Sequence, residues 1–203
     1  MAIILVRHGE TEGNARRFLQ LPDTRLSPRG EAQALRVAAR LARHSIGAIV
    51  SSDYARALGT AERIREACGA PLELDPGLRE RNFGELRGRS YDELGLDPFA
   101  PDYVPPGGES WADLHARVDA TWARACARAA ANAGDLVLVT HGLVCHSLVS
   151  RLLDLAGAIA PAGFGNTAVT IAEAAHPFAV SLLGCVAHLD AETAHDARSA
   201  SGV

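Results

Sequence analysis

Ile3-Ile4-Leu5-Val6-Arg7-His8-Gly9-Glu10-Thr11 decides the fold class of this chain. Four branched apolar residues in succession, with no polar alternation, describe a strand covered on both faces, as in a parallel sheet sandwiched by helices. The run stops at Arg7-His8-Gly9, three residues that suit a working loop beyond the carboxyl end of a strand.

Outward from that strand, the same alternation repeats. Ser27 and Pro28 supply an N-cap and a first-turn proline, and Leu35, Ala38 and Leu41 share a face of a helix expected to end near His44. Ile46 to Val50 reads as a second buried strand. Ser51, Ser52 and Asp53 offer caps for a helix with Leu58, Ala61, Ile64 and Cys68 on its inner side. Pro71 to Leu74 suits a short edge strand, because a leading proline cannot complete a central ladder. Ser110 with Asp113 forms a capping-box pattern ahead of Trp111, Leu114, Val118, Trp122 and Ala125 at helical spacing. Leu136 to Val139 is a third buried strand, running into Thr140-His141-Gly142 and a helix with Leu148 and Leu152. Ala168 to Ile171 and Phe178 to Leu183 read as two further strands, and residues from Ala191 onward as a fraying end. Strand and helix alternation implies an α/β fold with helices on both faces of the sheet.

Between them lies the one long irregular stretch, about 75–110, rich in glycine and proline yet carrying Phe83, Tyr91, Phe99 and Tyr103. That composition suits a packed lid-like insertion within a single domain, 1–203, more than a linker.

Composition narrows the function. The 203 residues are 48% hydrophobic and 22% charged, ordinary for one globular domain, and a net charge of -4 offers no cationic field for nucleic acid. No apolar run is long enough for a membrane span or a secretory signal core, so a cytoplasmic location is expected. Cys68, Cys126, Cys145 and Cys185 lack close metal-ligand spacing and read as small buried hydrophobes in a reducing compartment.

His8 and His141 both follow apolar strands, which places them at the same end of the sheet. Around them, Leu5-Val6-Arg7-His8-Gly9-Glu10-Thr11 with Asn14, Leu26-Ser27-Pro28-Arg29-Gly30 with Gln33-Ala34, Ser51-Ser52-Asp53-Tyr54-Ala55-Arg56-Ala57, Leu78-Arg79-Glu80 with Phe83-Gly84, and Val139-Thr140-His141-Gly142 occur in order. Together with Asn166-Thr167 and His188-Leu189, these segments resemble the histidine phosphatase superfamily, which includes phosphoglycerate mutases and many small-molecule phosphatases. The resemblance spans nearly the whole chain and implies a three-layer α/β/α sandwich with a mostly parallel mixed sheet.

It also implies roles. His8 is the expected nucleophile, since an unprotonated imidazole with a reference pKa of about 6.5 is available near neutral pH. Arg7 and Arg56 are expected on the phosphoryl oxygens, where a guanidinium fork meets two acceptors, and His141 as a further donor. Asn14 and the turn at Gly142 complete the expected phosphate site, and Glu80 is the expected proton carrier for the leaving oxygen. Arg16, Arg81, Phe83, Arg87, Tyr91, Tyr103 and Trp111 are candidates for a substrate lid. No metal and no cofactor are called for, because arginines and imidazoles supply the charge stabilisation.

Two departures from the family pattern stand out. Gly59 occupies a position where many relatives carry glutamine, and the segment from Glu80 to His141 is shorter than in the mutases. A shorter insertion admits water to a phosphohistidine, so hydrolysis of a small phosphorylated metabolite is the expected reaction. A cofactor-dependent phosphoglycerate mutase is the alternative, and a non-catalytic phospholigand-binding protein a third reading. Either a monomer or a homodimer is compatible with the sequence.

Overall fold

Among residues 1–190, which the computed structural model describes, six strands form one sheet. In chain order the elements are β1 (Ala2–Arg7), the single turn α1 (Glu12–Ala15), α2 (Pro28–Leu41), β2 (Ile46–Ser51), α3 (Ala55–Cys68), β3 (Leu72–Leu74), α4 (Trp111–Ala131), β4 (Asp135–Thr140), α5 (Gly142–Arg151), β5 (Val169–Glu173) and β6 (Val180–Cys185). The sheet order is β3-β2-β4-β1-β5-β6. β3, β2, β4 and β1 run parallel, while β5 is antiparallel to both β1 and β6.

Period-two alternation divides the buried strand residues between two cores. Ile3, Leu5, Ala48, Val50, Leu136 and Leu138 face one side, where Leu114, Val118 and Trp122 of α4 and Val144 and Leu148 of α5 cover them. Ile4, Val6, Ile49, Val137 and Val139 face the other, under Val37 and Leu41 of α2 and Ala57, Ala61 and Ile64 of α3. The result is the expected α/β/α sandwich with a mostly parallel mixed sheet, and β1 lies near its middle.

Several local expectations need correction. α2 stops at Leu41 rather than near His44, and its buried stripe is Ala34, Val37, Ala38 and Leu41, leaving Leu35 56% exposed. Ser27 does cap that helix, accepting from the Gly30 N–H at 3.0 Å. Ser51, Ser52 and Asp53 do not cap α3, whose N-cap is Tyr54 without a side-chain bond. The two serines turn inward instead, and Asp53 pairs with Arg79. Leu58 and Cys68 are only partly covered, and of the four free cysteines Cys145 alone is buried. The Ser110 capping box forms as expected. The last two strands begin at Val169 and Val180, and the expected fraying end lies outside the described residues.

The 75–110 stretch folds into 3-10 turns at Pro76–Leu78, Gly84–Leu86 and Tyr91–Glu93. It is tied to the loop after α1 by backbone bonds from Leu19 N–H to Arg89 O and from Tyr91 N–H to Arg17 O, each 2.9 Å. Where the chain leaves β1, Gly9 and Gly30 allow two backbones to touch. A Cβ on Gly30 would lie 1.9 Å from the Glu10 carbonyl oxygen, and one on Gly9 2.5 Å from the Gly30 carbonyl oxygen. Close approach of the start of α2 to the β1 loop therefore requires glycine at both positions.

Candidate active site

β1 and β4 are adjacent and in register, Arg7 beside Thr140, so the residues that follow each strand emerge side by side. His8 donates its backbone N–H to Thr140 O at 2.9 Å, joining the two strand ends. The His8 and His141 ring centroids are 5.1 Å apart, tilted by 59°.

The His8 imidazole is 2% exposed and its tautomer is set by the backbone. Nδ1 lies 2.6 Å from the Gly9 carbonyl oxygen, which can only accept, so Nδ1 carries the hydrogen. Nε2 is then the free lone pair, and the Arg56 Nε–H points at it from 3.3 Å. Burial, followed by the charges of Arg56 and Arg7, holds the His8 pKa well below the ordinary histidine range. A neutral, oriented imidazole results.

Arg56 is reached from the first turn of α3 and anchored by donation to Leu21 O at 3.0 Å. Burial lowers its pKa to about 10, with Glu80 opposing the shift, and it stays cationic at neutral pH. Arg7 is buried and donates to the Phe164 carbonyl. Glu80 accepts from the backbone N–H groups of Arg81 at 3.0 Å and Leu143 at 3.2 Å, the second at the start of α5. Burial raises its pKa above the usual carboxylate value, against the pull of those two amides and of Arg56 and Arg7. The site thus holds a carboxyl inclined to keep its proton beside two guanidinium groups.

A cleft opens over these groups, lined by Arg7, His8, Asn14, Arg56, Glu80 and Gly142 among others. His141 is fully buried against His8, and Ser52 Oγ meets its Nε2 at 2.8 Å. Its Nδ1 is a buried polar atom for which the described residues supply no hydrogen-bond partner. Asn14 accepts through Oδ1 from the Thr11 N–H at 3.3 Å and from Asn166 Nδ2 at 3.3 Å. Asn14 also lines the cleft, and these bonds do not use its Nδ2. Gly142 begins α5, where backbone N–H groups have no intrahelical acceptor.

The lid candidates separate into two sets. Phe83, Arg87 and Tyr91 line the cleft, with Arg87 donating to the Tyr54 hydroxyl at 2.6 Å. Arg81 reaches the cleft margin but is 1% exposed and commits its guanidinium to Glu109 O at 2.9 Å, Pro98 O at 3.1 Å and Tyr103 O at 2.6 Å. It also lies 4.3 Å above the Trp111 ring, so each of its three nitrogens is tied to a backbone carbonyl and it clamps the 75–110 stretch together. Tyr103 and Trp111 pack behind that clamp, away from the cleft. Arg16 is exposed and pairs with Glu12.

The sequence reading assigns no role to several residues that shape the site. Thr60 accepts the Gly9 N–H at 3.0 Å and donates to Arg56 O at 2.9 Å, coupling the His8-Gly9 loop to the arginine. Ser52 holds His141, and Asn166 donates to His8 O at 3.0 Å. Tyr54 stacks its ring 5.2 Å from the Arg56 guanidinium. Ser52, Tyr54 and Asn166 stand within the motif segments, and their positions there are the one signal that marks them.

The family model described as "Histidine phosphatase superfamily (branch 1)" matches residues 3–180. The Escherichia fergusonii protein named "Probable phosphoglycerate mutase GpmB" is 39% identical over 165 residues, 76% of each chain. Bacillus stearothermophilus YhfR superposes with a TM-score of 0.78 at 30% identity, covering 93% of this chain and 99% of that one. The mycobacterial glucosyl-3-phosphoglycerate phosphatase solved with VO3 gives 0.72 at 31%, covering 85% and 90%. This chain belongs to branch 1 of the histidine phosphatase superfamily.

Proposed function

We propose that this chain hydrolyses the monoester phosphate of a small metabolite through a phosphohistidine on His8. The observation that carries this reading is the Gly9 carbonyl on His8 Nδ1, which leaves Nε2 unprotonated and aimed among Arg7, Arg56 and Glu80.

In the first step the Nε2 lone pair attacks phosphorus and the ester P–O bond breaks. Glu80, protonated, gives its hydrogen to the departing oxygen. Arg7 and Arg56 hold the phosphoryl oxygens, with the His141 Nδ1–H as a further donor when the Ser52 hydroxyl donates to Nε2. Asn14 and the Gly142 N–H add neutral donors. In the second step the Glu80 carboxylate takes a proton from water, the oxygen attacks phosphorus, and the N–P bond breaks to release inorganic phosphate. Phe83, Tyr91 and Arg87 border the space for the organic part. Every step uses side chains of one chain, so catalysis requires no second copy and no resident metal. Free cysteines without disulfides support a cytoplasmic setting, and among the described residues no helix is long and apolar enough to cross a membrane.

The mutase reading has one specific support, the name of the Escherichia fergusonii relative. The two reactions separate in one assay. Phosphate release is measured across sugar phosphates, phosphoglycerates and nucleotide-related phosphates, alongside 3-phosphoglycerate isomerisation with and without 2,3-bisphosphoglycerate. Hydrolysis predicts phosphate release without isomerisation. Efficient isomerisation with little release overturns it. His8→Ala is expected to abolish turnover and acid-labile protein phosphorylation, and retained labelling at His141 would reverse the histidine roles.

A further inference from the structure

Thr167 is β-branched, yet its backbone is left-handed, with φ at 56°. A threonine adopts that region only under constraint from its surroundings. In this conformation its N–H meets Arg7 O at 3.1 Å and His8 O at 3.3 Å. The His8 carbonyl also receives Asn166 Nδ2, and the His8 N–H is given to Thr140 O. The backbone that aims the His8 ring is therefore held from both sides, and Thr167 supplies one of those sides.

The Thr167 hydroxyl shows what holds it. Oγ1 has one hydrogen and lies 2.7 Å from Asn166 O, which can only accept, so the hydrogen goes there. The remaining lone pairs face His188 Nε2 at 3.0 Å, which must then be the donor. His188 Nδ1 is left as an acceptor, and Arg40 Nη1 donates to it at 3.2 Å. Both ends of this chain of bonds are fixed, since a guanidinium only donates and a carbonyl only accepts. Only one direction of donation fits, from Arg40 on α2 through His188 and Thr167 to the loop beside His8.

We propose that His188 is a positioning residue for His8: by donating to Thr167 Oγ1 it holds Thr167 left-handed, so that the Thr167 N–H fixes the carbonyls of Arg7 and His8. The proposal rests on the reading of His8 as the nucleophile. Burial and the Arg40 guanidinium push the His188 pKa to about 4, so the neutral tautomer persists at neutral pH. Arg36 and Arg43 share the recess around Arg40 and His188, and Arg36 is paired with Asp190. A purely structural role, tying the segment after β6 to α2, would affect folding without touching the chemical step.

The test uses the full chain and measures kcat and KM for His188→Ala, His188→Asn, His188→Gln, Thr167→Val and the Ala/Val double variant. Glutamine can place an amide N–H near the former Nε2, whereas asparagine reaches only the Nδ1 position. Alanine and asparagine are expected to lower kcat by about tenfold or more with little change in KM, as small misplacements of a reacting atom do. Glutamine should restore most of kcat, and the double variant should be no slower than Thr167→Val alone. Equal kcat loss in glutamine and asparagine variants, or unchanged kcat with only a lower melting temperature, overturns the proposal; if His188→Ala does not fold, the glutamine and asparagine pair decides. Activity in His8→Ala would instead bring down the functional reading itself.

Discussion

Arg56 Nε stands 3.3 Å from His8 Nε2, so the guanidinium covers the lone pair to which the proposed mechanism assigns the attack. In that mechanism a phosphoryl group entering the cleft exchanges the bond for one to its own oxygen, so substrate binding and uncovering of His8 Nε2 coincide. Arg56→Lys is expected to lower kcat by about 100-fold or more, because an ammonium cannot span two oxygens as a fork does. With Arg56→Met, one of the two positive charges lowering the His8 pKa is gone, so the acidic limb of kcat/KM should move to higher pH. Steady-state rates across pH check both, and lysine at wild-type activity would remove Arg56 from the phosphate site.

Glu80 is expected to matter in proportion to how badly the leaving oxygen needs a proton. Glu80→Gln should slow alkyl phosphates by about 100- to 10,000-fold. An aryl phosphate whose phenolate departs unaided should lose far less. In the wild type, kcat/KM for alkyl esters should fall as pH rises through the raised Glu80 pKa, since the acid form does the work in the first step. Equal losses for both substrate types would end the proton-carrier role.

Stability should fall on acidification from neutral pH. His8 and His141 are held well below the ordinary range by burial first and by neighbouring cations next, and His188 lies at about 4. The unfolded chain therefore takes up protons near pH 6.5 that the folded state refuses. Their contribution is complete above about pH 6.5 and is lost as pH drops through the folded values. Glu80, with a raised pKa, acts oppositely, its contribution present below the unfolded carboxylate value and lost as pH rises. Urea midpoints measured from pH 7 down to pH 4 should show a decline that His8→Asn flattens. An unchanged slope in that variant would mean that His8 takes up its proton as readily in the folded state as in the unfolded one.

Arg81→Met removes a cation whose donors go to three backbone carbonyls and strands those oxygens in the interior. The expected loss is about 3 kcal/mol or more, with lysine failing to rescue because it cannot reach three divergent acceptors. Activity should fall with it, since the Arg81 backbone also holds Glu80. Thermal melts with parallel assays check this, and an unaltered melting temperature would refute the clamp.

The sheet and its end were legible because their signals are local. Ile3 to Val6 and Leu136 to Val139 are unbroken apolar runs, and His8 and His141 follow them directly in the sequence. Arg81 was harder to read: an arginine in a glycine-rich loop looks like a substrate ligand until the carbonyls of residues 98, 103 and 109 are seen to converge on it. Leu35 reversed faces because a stripe drawn through Leu35, Ala38 and Leu41 differs from the buried one by a single helical position. Thr60 reaches Gly9 across 51 residues and Ser52 reaches His141 across 89, and no local pattern encodes such pairs.

The pairing of β1 with β4 and β5 has a consequence for biogenesis. The Ala2 amide finds its carboxylate at Asp135, 133 positions downstream. While a ribosome is still extending the chain, β1 has no ladder to join until β4 has emerged, and the His8 ring cannot acquire His141 as its neighbour before then. Nascent fragments should therefore be inert toward phosphorylated metabolites, and the same apolar run, exposed in the interim, is where a holding chaperone would be expected to bind.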